Sequence, residues 1–345
     1  MTRRNVIIIG SGRRVQTAPL PVLQQLREDF ELRRIYAKKE KSLEVGGVHY
    51  GVAALSSVTA ADLQNIDLII MAVSKPAVPA VLAKLANFDV SKTDLLIDTP
   101  VVLLKHFRHM KLLKAFRNAW VAEDCTELPF LDAVRATVAK GMIGEVKGAT
   151  FFNSAYAYHG IATLKTILGP AHVVRARRTA EGDHKWKRVY QFSNHTTGTV
   201  FEPRDYSIGK ITIEGTRGSI SDFDDNSKTN SIRLAPVIQA NHCVGFRAGD
   251  ITTNLTAQET PLMAGGDPNL SVTARMEAMK RVGFLRLLKK IQNSLGAYPV
   301  DEALDDMVID YLLEKTGRYR STPLTNVRGG FAKFTFSMMS RIVGR

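Results

Sequence analysis

Apolar residues in this chain come first as short unbroken runs and later as alternating ones. Val6-Ile7-Ile8-Ile9 is unbroken and leads directly into Gly10-Ser11-Gly12. A run of this kind predicts a parallel strand buried on both faces. A helix follows over Pro21-Val22-Leu23-Gln24-Gln25-Leu26, and a second strand over Phe30–Ala37. Residues 66–73 predict a third strand, with a helix through Leu82 and Leu85 behind it. Asp94–Asp98 reads as a strand, 102–117 as a helix and 119–122 as a further strand. Strands alternating with helices imply a doubly wound parallel sheet that binds ligands at the carboxyl ends of its strands.

From Glu123 the pattern changes. Residues 130–140 predict a helix stopped by Gly141, and a longer strand runs from Gly144 to Phe152. Alternating segments over 173–179, 186–192, 199–202 and 210–214 predict a second α/β domain with a mainly antiparallel open sheet. Residues 226–267 read as polar turns with short apolar runs, ending in the flexible turn Ala264-Gly265-Gly266-Asp267. Two helices close the domain, over 272–295 with a strongly basic polar face and over 301–315 with an acidic start. The expected division is a Rossmann-like domain over 1–122, an α/β domain over 123–328 and a basic tail over 329–345.

Two domains suit the length of 345 residues, and 45% hydrophobic with 23% charged residues is an ordinary globular composition. No apolar run reaches the roughly 18–20 residues that span a bilayer, and no secretory leader is expected. Cys125 and Cys243 make no disulfide framework, so the expected compartment is the reducing cytoplasm. The sequons at Asn194, Asn254 and Asn269 are then coincidental. The net charge of +14 favours anionic partners, from nucleotide phosphates to nucleic acid or an acidic membrane, or is a solvated Lys/Arg surface. No nucleic-acid module with interleaved aromatics stands out. The tail, with Phe331, Phe334 and Phe336 among cations, reads as a segment docking on the domain or a partner subunit, or touching a membrane surface.

The Gly10-Ser11-Gly12-Arg13-Arg14 turn is the first candidate site, because a backbone that approaches a pyrophosphate closely has no room for side chains. A structural turn is the alternative, and Val15 stands where the full fingerprint has a third small residue. The second strand ends in Ala37-Lys38-Lys39, where an NAD enzyme carries a carboxylate for the ribose hydroxyls. Lys38 and Lys39 would attract a 2′-phosphate, favouring NADP over NAD; the alternative is a solvated loop, since Glu40 and Lys41 continue the charge run. Ala72, Ser74, Asp98, Thr99 and Pro100, at the ends of the next two strands, complete the cofactor candidates. His106 and His109 lack acidic or cysteine company and read as surface residues, so no metal site is expected.

Several of these stretches together resemble the glucose–fructose oxidoreductase / inositol dehydrogenase (Gfo/Idh/MocA) family. They are Gly10-Ser11-Gly12-Arg13, Asp98-Thr99-Pro100 where the family writes Glu-Lys-Pro, Lys140-Gly141-Met142-Ile143-Gly144-Glu145-Val146, and Ile213-Glu214-Gly215-Thr216-Arg217-Gly218-Ser219-Ile220. His159 followed ten residues on by Gly169 is the fifth. The resemblance covers about residues 4–225 in register. It implies a Rossmann domain plus an open-sheet domain, a nicotinamide cofactor, a sugar-like substrate and a homo-oligomer. The family lysine falls on Thr99, and two acids that accompany the histidine fall on Ala155 and Ala162; His159 alone remains.

Hydride transfer at a carbonyl needs a proton donor at the developing alkoxide. His159 is the candidate, with Tyr156 and Tyr158 able to reach the same cleft. Strand alternation continued this far would put both tyrosines on one face and His159 on the other. Glu123, beside Asp124 and Cys125 at a strand end, is a substitute acid or part of a helix N-cap cluster. The leading expectation is thus an NADP-preferring oxidoreductase acting on a sugar or sugar derivative. The alternatives are a silent nucleotide-binding scaffold and a polyanion or membrane-surface binder.

Overall fold

The computed structural model describes residues 3–99, 101–224, 230–263 and 272–322. These divide into two compact units, one of 3–124 with 284–304, the other of 125–283 with 305–322.

The first unit is built on β1 (Arg4–Ile9), β2 (Phe30–Ala37), β3 (Lys41–Val45), β4 (Val48–Ala54), β5 (Leu68–Met71), β6 (Asp94–Asp98) and β7 (Asn118–Ala122). Val6 to Ile9 and Leu68 to Met71 are at most 1% exposed, which is why these strands read as continuous apolar runs. β1 pairs in parallel with β2 on one side and β5 on the other, and β6 and β7 extend the parallel set. The strand order therefore reverses between β1 and β5, the place where an open α/β sheet leaves a crevice at its carboxyl edge. Helices α1 (Arg13–Thr17), α2 (Pro19–Gln25), α3 (Ala60–Leu63) and α4 (Val78–Leu85) connect the strands. At the opposite edge, Asp94 gathers Arg4 at 2.5 Å, Arg117 at 2.5 Å and Asn118 at 3.0 Å. Burial alone would raise the Asp94 carboxyl, but these donors hold it below the usual carboxylate range.

The helix expected over 102–117 is corrected. Leu104–Ala115 winds as 3-10 turns. Leu104, Phe107, Met110 and Leu113 recur every third residue and are at least half-covered, while Lys105, Arg108, Lys111 and Lys114 are exposed. That spacing matches three residues per turn better than 3.6. A second correction concerns Lys41, read as part of a loop. It opens β3, which pairs antiparallel with β4 at the sheet edge.

The second unit carries β8 (Val146–Phe152), β9 (Val173–Gly182), β10 (Lys185–Phe192), β11 (Thr197–Glu202), β12 (Lys210–Gly215), β13 (Ser219–Ser221), β14 (Ser231–Gln239), β15 (His242–Ala248) and β16 (Ile251–Asn254). Its helices are α5 (Phe130–Ala139), α6 (Ala157–Leu168) and the short α7 (Thr260–Met263), and α5 and α6 pack on the sheet. α8 (Val272–Gln292) and α9 (Val300–Thr316) each have residues in both units. Two short strands finish the sheets: β17 (Tyr298–Pro299) adds to β7, and β18 (Arg318–Arg320) adds to β9. The second sheet has ten strands in the order β16-β15-β14-β13-β12-β8-β11-β10-β9-β18 and is antiparallel except at β13/β14 and β8/β11. Residues 226–267 thus contain a strand meander, β14 to β16, that the sequence shows only as short apolar runs. The turn Ala264-Gly265-Gly266-Asp267 and the tail lie outside the described residues.

Arg188 is the largest side chain buried in this unit, and its charge is answered by three carboxylates. Its Nε donates to Glu202 at 2.8 Å, one terminal nitrogen donates to Asp310 at 2.6 Å and the other to Glu314. Nearby, Lys165 donates to the buried Asp306 at 2.6 Å. Both interactions tie α9 to the second unit, since a buried charge survives only when paired.

Candidate functional site

Gly10 ends β1 in a left-handed conformation, φ +127°, and its amide donates to the Tyr36 carbonyl at 2.7 Å. A Cβ there would stand 2.0 Å from the Ala72 carbonyl oxygen, so β1, β2 and β5 converge on a position that only glycine fits. Gly12 differs: its φ is −77°, it is exposed, and nothing lies within 4 Å of an added Cβ. Open space over a backbone at the switch point is what a pyrophosphate needs. Val15 is fully buried, so its side chain belongs to the core.

The remaining cofactor candidates fall around this turn unevenly. Lys38 and Lys39 follow β2 and are exposed, as are Arg13 and Ser74; Ser11 and Ala72 are half-buried. Lys41 reaches the turn itself, its Nζ donating to the Ser11 carbonyl at 3.2 Å. Arg14 is otherwise engaged. Its Nε donates to Asp98 at 2.9 Å, a terminal nitrogen meets Asp124 at 2.8 Å, and the guanidinium stands 5.5 Å from the Phe284 ring centroid. Burial alone would favour a neutral Arg14, but Asp124 and Asp98 push its pKa further up, making it a fixed cation at the carboxyl ends of β6 and β7. Thr99 is half-buried beside Asp98, and Pro100 lies outside the described residues. Glu123 is buried just after β7. His106 and His109 lie in the 3-10 run, where burial and neighbouring cations hold both below the ordinary histidine pKa.

In the second unit the chain leaves β8 and turns sharply into α6. Tyr156 precedes the helix in extended geometry, and Ala157, its first residue, has φ +50°. A left-handed alanine costs roughly 1–2 kcal/mol. Glu202 holds it there: one carboxylate oxygen accepts the Ala157 amide at 2.9 Å while the other accepts Arg188 at 2.8 Å. The turn brings three rings together, with His159 at 4.3 Å from Tyr158 and 5.3 Å from Tyr156 between centroids. Strand alternation, which would have separated the tyrosines from His159, is therefore overturned. The strand stops at Phe152 and a helix starts at Ala157.

Tyr156 and His159 line a small space together with Cys125, Arg204, Tyr206 and Lys280. A larger cavity of about 270 Å³ adjoins it through Ser154 and Tyr206, with Asp222, Arg233 and Arg275 on its walls. Burial raises the Asp222 carboxyl, although the Ile211 amide donates to it at 2.7 Å. Arg204, Tyr206 and Lys280 escape sequence reasoning because no spacing links them to His159. The one available signal is the excess of cations, spread over the whole chain.

No protein-family model matches the sequence, and no curated protein matches it. Solved structures do. Myo-inositol dehydrogenase from Corynebacterium glutamicum is 12% identical, with 93% of this chain and 100% of that one covered, at a TM-score of 0.62. Levoglucosan dehydrogenase in complex with NADH and L-sorbose is 14% identical, with 93% and 100% covered, at 0.57. A super-repressor mutant of Gal80p from Saccharomyces cerevisiae is 11% identical, with 94% and 100% covered, at 0.63. These likenesses carry the fold: a Rossmann-like parallel-sheet unit followed by a unit with a second, open sheet. No helix of the described residues is long and apolar enough to cross a membrane.

Proposed function

We propose that this protein is a nicotinamide-nucleotide-dependent oxidoreductase, NADP-preferring, acting on a carbonyl or hydroxyl carbon of a carbohydrate-like substrate. The observation that carries the reading is the Gly10–Gly12 turn, closed against Ala72 on one side and open above Gly12 on the other, at the reversal of strand order. The fold shared with a dehydrogenase holding NADH and L-sorbose supports both the cofactor class and the substrate class. The preference for NADP rests on Lys38 and Lys39, with Lys41 reaching the turn, and on Ala37 where a carboxylate would serve NAD.

The bound nucleotide supplies or accepts the hydride. The chain's own part is to orient it and to manage the proton. In the reducing direction the carbonyl carbon gains a hydride and the oxygen gains a proton from His159. Tyr158 and Tyr156 pack against that ring and fix its orientation; either hydroxyl is a second proton-carrying group. Asp98, Thr99 and Glu123 remain candidates for holding nicotinamide or substrate hydroxyls.

Titration with NADPH and NADH, followed by nicotinamide fluorescence, tests the cofactor half. NADPH is expected to bind at least tenfold more tightly. Consumption of NADPH with a panel of carbonyl sugars tests the rest, and His159→Ala is expected to lower turnover by about 10²-fold or more. Failure to bind either nucleotide ends the reading.

A second reading, a nucleotide-binding scaffold without turnover, is favoured by one observation: Arg14 is held by Asp98 and Asp124 at the strand ends that a nicotinamide ring would approach. Tight nucleotide binding with no redox activity on any sugar would decide for it. A Gal80p super-repressor mutant of similar fold is compatible with it.

A further inference from the structure

We propose that the cavity of about 270 Å³ adjoining the His159 space receives an aromatic group carried by the substrate. As an account of turnover this rests on the oxidoreductase reading, and narrows its substrate from a free sugar to a sugar bearing an aryl substituent. As a binding site it stands on the second unit alone.

The apolar walls come largely from four elements of that unit. Phe130 opens α5, Leu234 and Pro236 lie on β14, Phe246 on β15, and Met276 and Met279 on α8. All of these except Pro236 are at most 8% exposed, so they are core residues that nevertheless border a cavity. Protein cores keep few voids larger than a water, because the atoms lining a void lose their contacts on one side. An apolar cavity of about 150 Å³ stays dry and takes up benzene, and this one is larger. Left empty it would be a packing loss, and an apolar ligand recovers the missing contacts.

The chemistry of the walls selects the occupant. Sugar hydroxyls moved into this space would exchange water for hydrocarbon, and each would need a new partner. The polar groups on the walls are few and largely engaged. Arg233 meets Asp224 at 3.2 Å, Asp222 accepts the Ile211 amide at 2.7 Å, and the Ser154 hydroxyl donates to the Lys210 carbonyl at 2.9 Å. A ring needs no such partners. Phe130 and Phe246 already meet edge to face, with centroids 6.3 Å apart and planes at 65°, an arrangement that a third ring extends. Met276 and Met279 supply thioethers, which favour aromatic neighbours and adapt to their outline. Arg275, half-buried beside them on α8, is a cation of the kind that stacks on a ring face. A saturated group would gain the burial without these aromatic contacts.

The ring would be tethered to the reacting part of the substrate. Phe130, Ser154, Tyr206, Ile211 and Met276 line both this cavity and the space that His159 lines. A substituent held here keeps the sugar bonded to it next to the proposed proton carrier. Binding energy from a ring remote from the reacting carbon then holds that carbon in place.

Calorimetric titration of the full chain with 2-naphthol and its saturated counterpart decahydro-2-naphthol tests the cavity without any sugar. 2-Naphthol should bind about fivefold more tightly than the saturated alcohol, with a negative heat-capacity change. Pro236→Phe and Met279→Phe each put another ring into the cavity. Each should weaken 2-naphthol about tenfold and leave NADPH affinity, a property of the first unit, unchanged. If one of them lowers the melting temperature, the other decides. Turnover of phenyl glycosides against methyl glycosides of the same sugars tests the substrate: the phenyl compounds should show a KM at least tenfold lower, and the same variants should erase the advantage. Failure of 2-naphthol to bind, or binding indifferent to both substitutions, overturns the proposal. Equal or tighter binding of decahydro-2-naphthol overturns the choice of an aromatic group. 2-Naphthol held in the cavity with no turnover of any glycoside removes the oxidoreductase reading and keeps this site. Turnover with equal KM for phenyl and methyl glycosides keeps that reading and removes the aryl substituent from the substrate.

Discussion

Two glycines two residues apart should respond to the same substitution in opposite ways. At Gly10 an added methyl meets backbone, 2.0 Å from the Ala72 carbonyl oxygen and 2.8 Å from its carbon. Neither atom can yield as a flexible side chain does. Relief to an ordinary contact near 3.4 Å requires the end of β1 to move away from the end of β5 by more than about 1 Å. That movement strains the hydrogen bonds from Gly10 to Tyr36 at 2.7 Å and from Ala72 to Ile9 at 2.8 Å. Each is worth about 1 kcal/mol, and the φ of +127° adds roughly 1–3 kcal/mol for a residue with a Cβ. Gly10→Ala should therefore cost about 3–5 kcal/mol and lower the melting temperature by about 10 °C. At Gly12 the methyl enters open space with an ordinary φ, so Gly12→Ala should leave stability within about 1 kcal/mol. It should nevertheless abolish nucleotide binding, because the space it fills is the one assigned to the pyrophosphate. Thermal melts and fluorescence titration with NADPH read the two effects separately. A Gly10→Ala protein that melts with the wild type refutes the packing argument. A Gly12→Ala protein that binds NADPH normally refutes the assignment of the phosphate.

Replacing Lys38 and Lys39 together by Ala should weaken NADPH about tenfold, the discounted value for exposed charges on a phosphate, and leave NADH unchanged in the same titration; equal losses for both would remove them from the 2′-phosphate. Arg188→Met leaves Glu202, Asp310 and Glu314 facing one another and should cost about 3–5 kcal/mol in a urea melt, so a midpoint equal to the wild type's would show the network is not needed. Asp94 supplies an acid-dependent part of stability. Its folded pKa lies below the ordinary value, so its contribution is complete above about pH 4 and is lost as pH falls through the folded pKa. The stability gap between wild type and Asp94→Asn should accordingly be largest at neutral pH and close below about pH 4, and a gap constant from pH 7 to pH 3 would contradict the assignment.

What the sequence made legible was what depends on local pattern. The continuous runs at β1, β5 and β6 announce two-sided burial, and Gly10 announces the turn. The hairpin of β3 and β4 was not legible, because its strands lie at an edge and only Leu43 and Val52 are buried, too few to set a period. The run from Leu104 to Ala115 was misread because a repeat of three resembles a helical repeat over so short a stretch. The tyrosine–histidine cluster was found by residue type and lost in geometry, since nothing in the string Tyr156-Ala157-Tyr158-His159 signals a left-handed alanine. That conformation is imposed by Glu202, a residue far along the chain. Arg14, expected at the cofactor turn, also pairs with two carboxylates, which no local pattern announces because it depends on where β6 and β7 end.

The missing polar groups bear on how the surroundings of His159 are read. The resemblance put a lysine at Thr99 and acids at Ala155 and Ala162; the alanines are 8% and 1% exposed, in positions where an acid would need its own buried partner. His159 keeps its place against Tyr156 and Tyr158 without them, and Arg204 and Lys280 line the same space. A pocket that had only decayed would fill with apolar side chains, as the positions of Ala155 and Ala162 have. The space beside His159 has instead kept Tyr156, Tyr206, Arg204 and Lys280 on its walls. That polar lining is what the oxidoreductase reading needs, and a silent scaffold would have no reason to keep it.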